Sequence, residues 1–209
     1  MTSDVSTGRP GARYRGAVVP YITAWSEERA LPVRIIERPL LGIGYTDESF
    51  VDRDEHGVLW RRVLSRPGAG RPLFGEIHTP RQRRAMQRLL CQVCSGPADQ
   101  NEAGTLWLLK DHRGDWPGWP NGMGVTEPPV CLPCARTAIN LCPSLRRGHV
   151  ALRVAHHPIA GVQGLRYQVR LQRLQLAESD LVPLEDPAIR WTQAVHLIRE
   201  ITGCVFVDL

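Results

Sequence analysis

The chain has 209 residues, 43% hydrophobic and 22% charged, with a formal net charge of +5. That length supports a sizeable buried core in one composite domain or two small ones, and no apolar run approaches what a membrane-spanning segment needs. The modest basicity permits a nucleic-acid partner without requiring one; Lys110 is the only lysine, an arginine bias that a GC-rich coding genome produces more readily than selection for phosphate binding.

Residues 1–16 carry Ser, Thr, Gly and Pro with Arg9, Arg13 and Arg15 and almost nothing apolar, so a disordered basic arm is expected. The chain begins with polar residues in place of an apolar signal core, which points to the cytoplasm and no membrane partner. Over residues 17–78 the short β-branched or aromatic runs at 17–22, 33–36 and 57–64, broken by Pro and Gly, predict a small β-sheet. The acidic stretch 52–57 lacks calcium-loop spacing and reads as a solvated hairpin turn.

A helix start follows. Thr79 is placed to act as N-cap, Pro80 suits the first turn, and Gln82 sits at the capping-box position. The helix runs to about Leu90, with Met86, Leu89 and Leu90 inward and Arg81, Arg84 and Arg88 along another face at helical spacing, a candidate nucleic-acid-binding face. It leads into Cys91-Gln92-Val93-Cys94, which is answered after 36 residues by Cys131-Leu132-Pro133-Cys134. Two Cys-x-x-Cys hooks can set four thiolates in a tetrahedron around one Zn²⁺, and a reducing compartment favours metal over disulfides. Such a closed site is structural and leaves no position for substrate.

Between the hooks, 105–110 reads as a strand, and the Pro/Gly loop 116–122 offers Trp116 and Trp119 for stacking on a base, docking on a partner or capping the core. The second hook opens a helix with Ala135, Ala138, Ile139 and Cys142 inward and Pro143 at its end. That layout points to a treble clef over residues 79–148. Cys142 and Cys204 read as small apolar residues. In residues 149–209, alternation at 150–154 and 165–171 predicts two strands, and His156-His157-Pro158 a loop whose histidines face apart. Asp186 and Pro187 start a predicted helix through Trp191, Ala194, Val195, Ile198 and Ile201 to Gly203, before a terminal strand.

The segment from Cys91 to Ala135 resembles the zinc-bearing branch of the HNH nuclease family: a first hook, a strand ending in Asp111-His112 17 residues beyond it, a loop, and a second hook starting a helix. The resemblance implies His112 as general base and Asp111 as a ligand of a second, catalytic divalent cation. The chain departs from that pattern after Cys134, where Ala135, Arg136 and Thr137 stand in place of a metal-ligating His or Asn. The arginine-rich style and the phrase around Cys131 also resemble proteins of actinobacteria and their phages. The expectation is therefore an α+β protein with an N-terminal sheet, a central zinc treble clef and C-terminal strands plus a helix. Its leading function is non-catalytic zinc-stabilised nucleic-acid binding, with a metal-dependent nuclease and a protein-interaction factor as alternatives.

Overall fold

The computed structural model describes residues 12–209. Its strands are β1 (Arg13–Tyr14), β2 (Ala17–Val18), β3 (Thr23–Trp25), β4 (Ile35–Arg38), β5 (Gly42–Tyr45), β6 (Leu59–Trp60) and β7 (Pro72–Ile77), followed by helix α1 (Thr79–Arg88). Then come β8 (Gln100–Asn101), β9 (Gly104–Lys110), β10 (Met123–Val125), helix α2 (Leu132–Leu141), β11 (His149–His156), β12 (Ile159–Arg170), β13 (Arg173–Pro183) and β14 (Thr192–Val207). The mixed helix-and-strand composition agrees with an α+β class, but strands dominate.

The molecule is built on β14. Strands β11 and β12 follow one another along it in nearly one antiparallel register, from Ala151 opposite Val207 to Arg166 opposite Thr192. The interruption falls at His157-Pro158, whose proline cannot donate to a ladder. β9 then pairs with β11 and β13 with β12, while β10 and β6 also pair with β14, β6 in parallel. Trp107, Leu109, Val150, Leu152, Val154, Val162, Leu197 and Ile201 from this sheet bury against Met86 of α1 and Trp60 of β6.

Three expectations are corrected here. Residues 187–203 do not form a helix: a short 3-10 turn, Pro187–Trp191, capped by Asp186 through the Ala188 N–H at 2.8 Å, runs straight into β14. Ala194, Leu197, Ile198 and Ile201 are all buried there, because a central strand covered on both faces loses simple alternation and its apolar spacing imitates a helix. Residues 17–78 do not form one sheet, since β3 pairs with β7, β4 with β5, and β6 joins β14. Of the predicted N-terminal arm, Arg9 lies outside the described residues, whereas Arg13 and Arg15 belong to the β1–β2 hairpin.

Helix α1 starts one residue earlier than its capping pattern suggests. His78 is the N-cap and its carbonyl accepts from the N–H groups of Arg81 and Gln82, at 3.1 and 3.0 Å. The Gln82 side chain is thereby freed from capping and reaches the middle of β14. At the β8–β9 turn only Gly104 fits, with φ +117°, since a Cβ there would stand 2.2 Å from the Val154 carbonyl oxygen. Among the described residues no helix is long and apolar enough to cross a membrane.

Candidate metal centre and neighbouring basic surface

The first hook is a tight turn after α1. The Cys91 N–H donates to the Gly96 carbonyl at 2.7 Å, the Ser95 N–H to the Cys91 carbonyl at 2.9 Å, and Ser95 takes a left-handed φ of +61° to close the loop. The second hook is the entry to α2: Cys131 is its N-cap, Pro133 lies in the first turn, where its missing N–H costs nothing, and the Ala135 N–H donates to the Cys131 carbonyl at 2.9 Å. Main-chain bonds lock the hooks together, Gln92 N–H to Pro129 carbonyl at 3.0 Å and Asp99 N–H to Val130 carbonyl at 3.1 Å.

The four sulfurs of Cys91, Cys94, Cys131 and Cys134 lie within 4.8 Å of one another, with Cys94 Sγ 3.8 Å from Cys131 Sγ. A tetrahedral Zn–S centre with bonds of ~2.3 Å has an edge of ~3.8 Å, so the donor set and its spacing fit such an ion. All six cysteines are free thiols. The surroundings are apolar, formed by Val93, Leu106, Leu108, Val130, Ala135 and Ala151. Burial, with the neighbouring Cys91 thiol adding to it, pushes Cys134 up to about 12; sharing a hydrogen bond with Cys131, together with burial, pushes Cys91 up as well. Four crowded thiols cannot all ionise in that setting unless a cation takes the charge. A divalent ion would supply it, and the N-terminus of α2 and the Val93 N–H, 3.4 Å from Cys91 Sγ, would assist. Cys142 and Cys204 are not part of the cluster, and burial alone raises Cys204 to about 11.

The other predicted site residues are dispersed. Asp111, just past β9, is held by Arg113, whose Nη2 donates to Oδ2 at 2.6 Å, and this pairing keeps its carboxyl below the usual range. His112 turns to Asp115, with Nδ1 3.0 Å from Oδ2. Among the described residues the four cysteines are the only group of three or more His, Cys, Asp or Glu side chains close enough to share an ion.

Arg81 is not on a solvent face. It is 7% exposed, and its guanidinium holds both carboxylate oxygens of Glu28 at 2.6 Å and donates to the Thr23 carbonyl at 2.7 Å. Arg84 and Arg88 are exposed, so the α1 basic face reduces to these two. Trp116 is 41% exposed, whereas Trp119 is buried, its ring centroid 6.2 Å from that of Phe206, which removes it as a stacking platform.

No protein-family model, curated protein or solved structure matches the chain.

The pairing that sequence reading missed is Glu28–Arg81. It joins residues 53 positions apart, and nothing local to either residue announces it. Beside it His78 is fully buried, its Nε2 3.1 Å from the Leu64 carbonyl oxygen. Arg83, the fourth arginine of α1, lies 4.5 Å over the Trp60 ring, and burial lowers its pKa.

Proposed function

We propose that the chain is a zinc-stabilised, non-catalytic binding protein whose partner is nucleic acid. The observation that carries this reading is the closed set of four cysteines: a Cys₄ ion has no open coordination position, so it stabilises the fold and performs no chemistry. In this reading the first hook, the β8–β9 hairpin, β10, the second hook and helix α2 form a treble clef around zinc. Basic surface is available nearby on Arg84 and Arg88, while many carboxylates are engaged in internal pairs, including Glu28 with Arg81, Asp52 with Arg62 and Asp99 with Arg153.

The nuclease alternative loses support because Asp111 and His112 are each paired with a local side chain and, among the described residues, belong to no group of three that could hold an ion. The test is elemental analysis joined to a salt titration of oligonucleotide binding. One zinc per chain, with affinity falling steeply between ~50 and ~200 mM salt, is expected. Zinc-loaded protein whose partner binding ignores salt would instead favour an apolar protein-docking surface.

A further inference from the structure

Three cavities of about 510, 510 and 310 Å³ share Arg61, the residue that follows β6. The first lies between β4, β12 and β14, with Arg34, Tyr167 and Gln193 in its wall. The second runs along the start of α1, with Thr79, Pro80 and Arg83. The third is bordered by Arg29, Glu76 and His78. Arg61 is fixed by its main chain, whose N–H donates to the Ala194 carbonyl at 2.9 Å and extends the β6–β14 pairing. Its positive charge reaches both Tyr167 and His196.

The charges along this groove do not cancel. Glu28 is taken by Arg81 and Asp52 by Arg62, which leaves Glu76 as the unpaired carboxylate of the lining. Among the described residues Arg29, Arg34, Arg61 and Arg83 make no ion pair. Arg83 sits within the fields of Asp54 and Glu55, yet its Nε is buried with no hydrogen-bond partner. Arg83 is half-buried on the Trp60 ring with its Nε unpartnered, Arg61 is half-buried, and Arg29 and Arg34 are exposed, so an anion in the groove meets guanidinium groups that no internal carboxylate occupies. Apolar side chains share the wall with polar ones: Leu31, Val33 and Ile35 line the first cavity beside Gln193, and Val51 and Val63 line the second beside Ser49 and Thr79.

We infer that this Arg61-centred groove binds single-stranded nucleic acid, its arginines on the phosphates and its apolar walls on the bases. The inference rests on the nucleic-acid reading above and moves the principal site from the α1 face to the groove beside it. A single strand suits the lining because it offers bases and phosphates together, whereas a duplex hides its bases and presents a convex backbone. Three adjoining concavities that meet at Arg61 offer room for more than one unit of such a chain.

The test is fluorescence anisotropy of the zinc-loaded protein with a labelled 12-nucleotide oligo-dT and with a duplex of equal length. It is run on the parent, on the half-buried and exposed positions Arg61→Ala and Arg34→Ala, on the double variant, and on Arg173→Ala at the β12–β13 turn as control. The single strand is expected to bind more tightly than the duplex. The double variant should weaken it at least ~10-fold, with a log–log salt slope shallower by ~1.4, or ~0.7 for each phosphate contact removed, and the control should leave it unchanged. Unchanged zinc content and melting temperature show that the variants are folded. A parent that binds while the double variant binds equally well overturns the groove and leaves the nucleic-acid reading standing. A parent that prefers the duplex overturns the single-strand assignment. A parent that binds neither probe overturns both readings.

Discussion

The side-chain amide of Gln82 pairs with the main chain of Leu197 on both polar groups: Oε1 accepts the Leu197 N–H at 3.0 Å, and Nε2 donates to the Leu197 carbonyl at 2.9 Å. Leu197 falls in the stretch of β14 between the residues that pair with β6 and those that pair with β10, so a helix side chain acts there as one residue of strand. The same Nε2 also donates to the Thr126 carbonyl at 2.7 Å, and Gln82 is fully buried.

Gln82→Ala leaves the N–H of Leu197 and two carbonyls short of partners in the interior, and also opens a cavity. A loss of about 3 kcal/mol or more is expected in urea unfolding followed by circular dichroism. Gln82→Glu should do no better, because a carboxylate cannot donate to the two carbonyls. A change under about 0.5 kcal/mol in either variant would show that the gap in β14 closes by other means.

The Glu28–Arg81 pair gives a second case. Arg81→Ala strands a buried carboxylate that also accepts from the N–H groups of Trp25 and Arg66, at 2.9 Å each, and should cost about 3–5 kcal/mol. Glu28→Leu combined with Arg81→Met should recover most of that loss. If the double variant is as unstable as the single one, the unpaired charge is not the cause.

Acid sensitivity follows from the same region. Burial lowers the pKa of His78, His157 and His196, so the unfolded chain takes up protons at these sites first as pH falls below about 6.5. Burial by itself would raise Glu28, but the Arg81 pair and the two N–H donors outweigh it and hold the carboxyl below its ordinary value. The Glu28 contribution is complete above about pH 4.5 and disappears as pH drops through the depressed folded value. Urea midpoints between pH 8 and 4 should therefore decline from near pH 6.5 downward, more steeply below pH 4.5. Replacing His78 with Gln should flatten the upper part of that decline.

Metal removal has a defined signature. Cys94→Ser, or treatment with a strong chelator, should release the ion and loosen the region around α2, seen as lost helical signal and raised protease sensitivity. Cys142→Ala and Cys204→Ala should keep one ion per chain by elemental analysis. Loss of metal in either of these would put a fifth sulfur into the centre.

His112→Ala and Asp111→Asn should neither abolish a DNA-cleaving activity nor alter metal content, because the parent is expected to cleave nothing in Mg²⁺ or Mn²⁺. The urea midpoint should stay essentially where it is in the parent, as usual for side chains near the surface. Metal-dependent cleavage by the parent that vanishes in His112→Ala would restore the nuclease reading.

Local signals were the legible ones. The two hooks, the opening of α2 at Cys131 and the strand through Val150, Leu152 and Val154 are each written within a few residues of one another and stand where the sequence places them, while the Pro80 start of α1 is displaced by one residue to the His78 cap and the strand is buried on both faces. What failed was long-range. Arg81 belongs to the apparent solvent stripe of α1 until Glu28 folds against it, and Trp119 looks like a free platform until Phe206 of β14 covers it. Ala194, Ile198 and Ile201 satisfy helical spacing and central-strand burial equally, and only the partners β6, β10, β11 and β12 decide between them.

The position of β14 in the order of synthesis has its own outcome. Every strand that hydrogen-bonds to it leaves the ribosome first, so β6, β10, β11 and β12 emerge with open edges and wait for a ladder that does not yet exist. The hooks at Cys91 and Cys131 are both complete before β11 is made, so a metal held by the four cysteines would close its knot while the sheet is still unformed. With a metal bound at the hooks, the nascent chain would have one early centre and one late closure of high contact order, and between the two it would expose the apolar faces of half a sheet to whatever chaperone or neighbour is at hand.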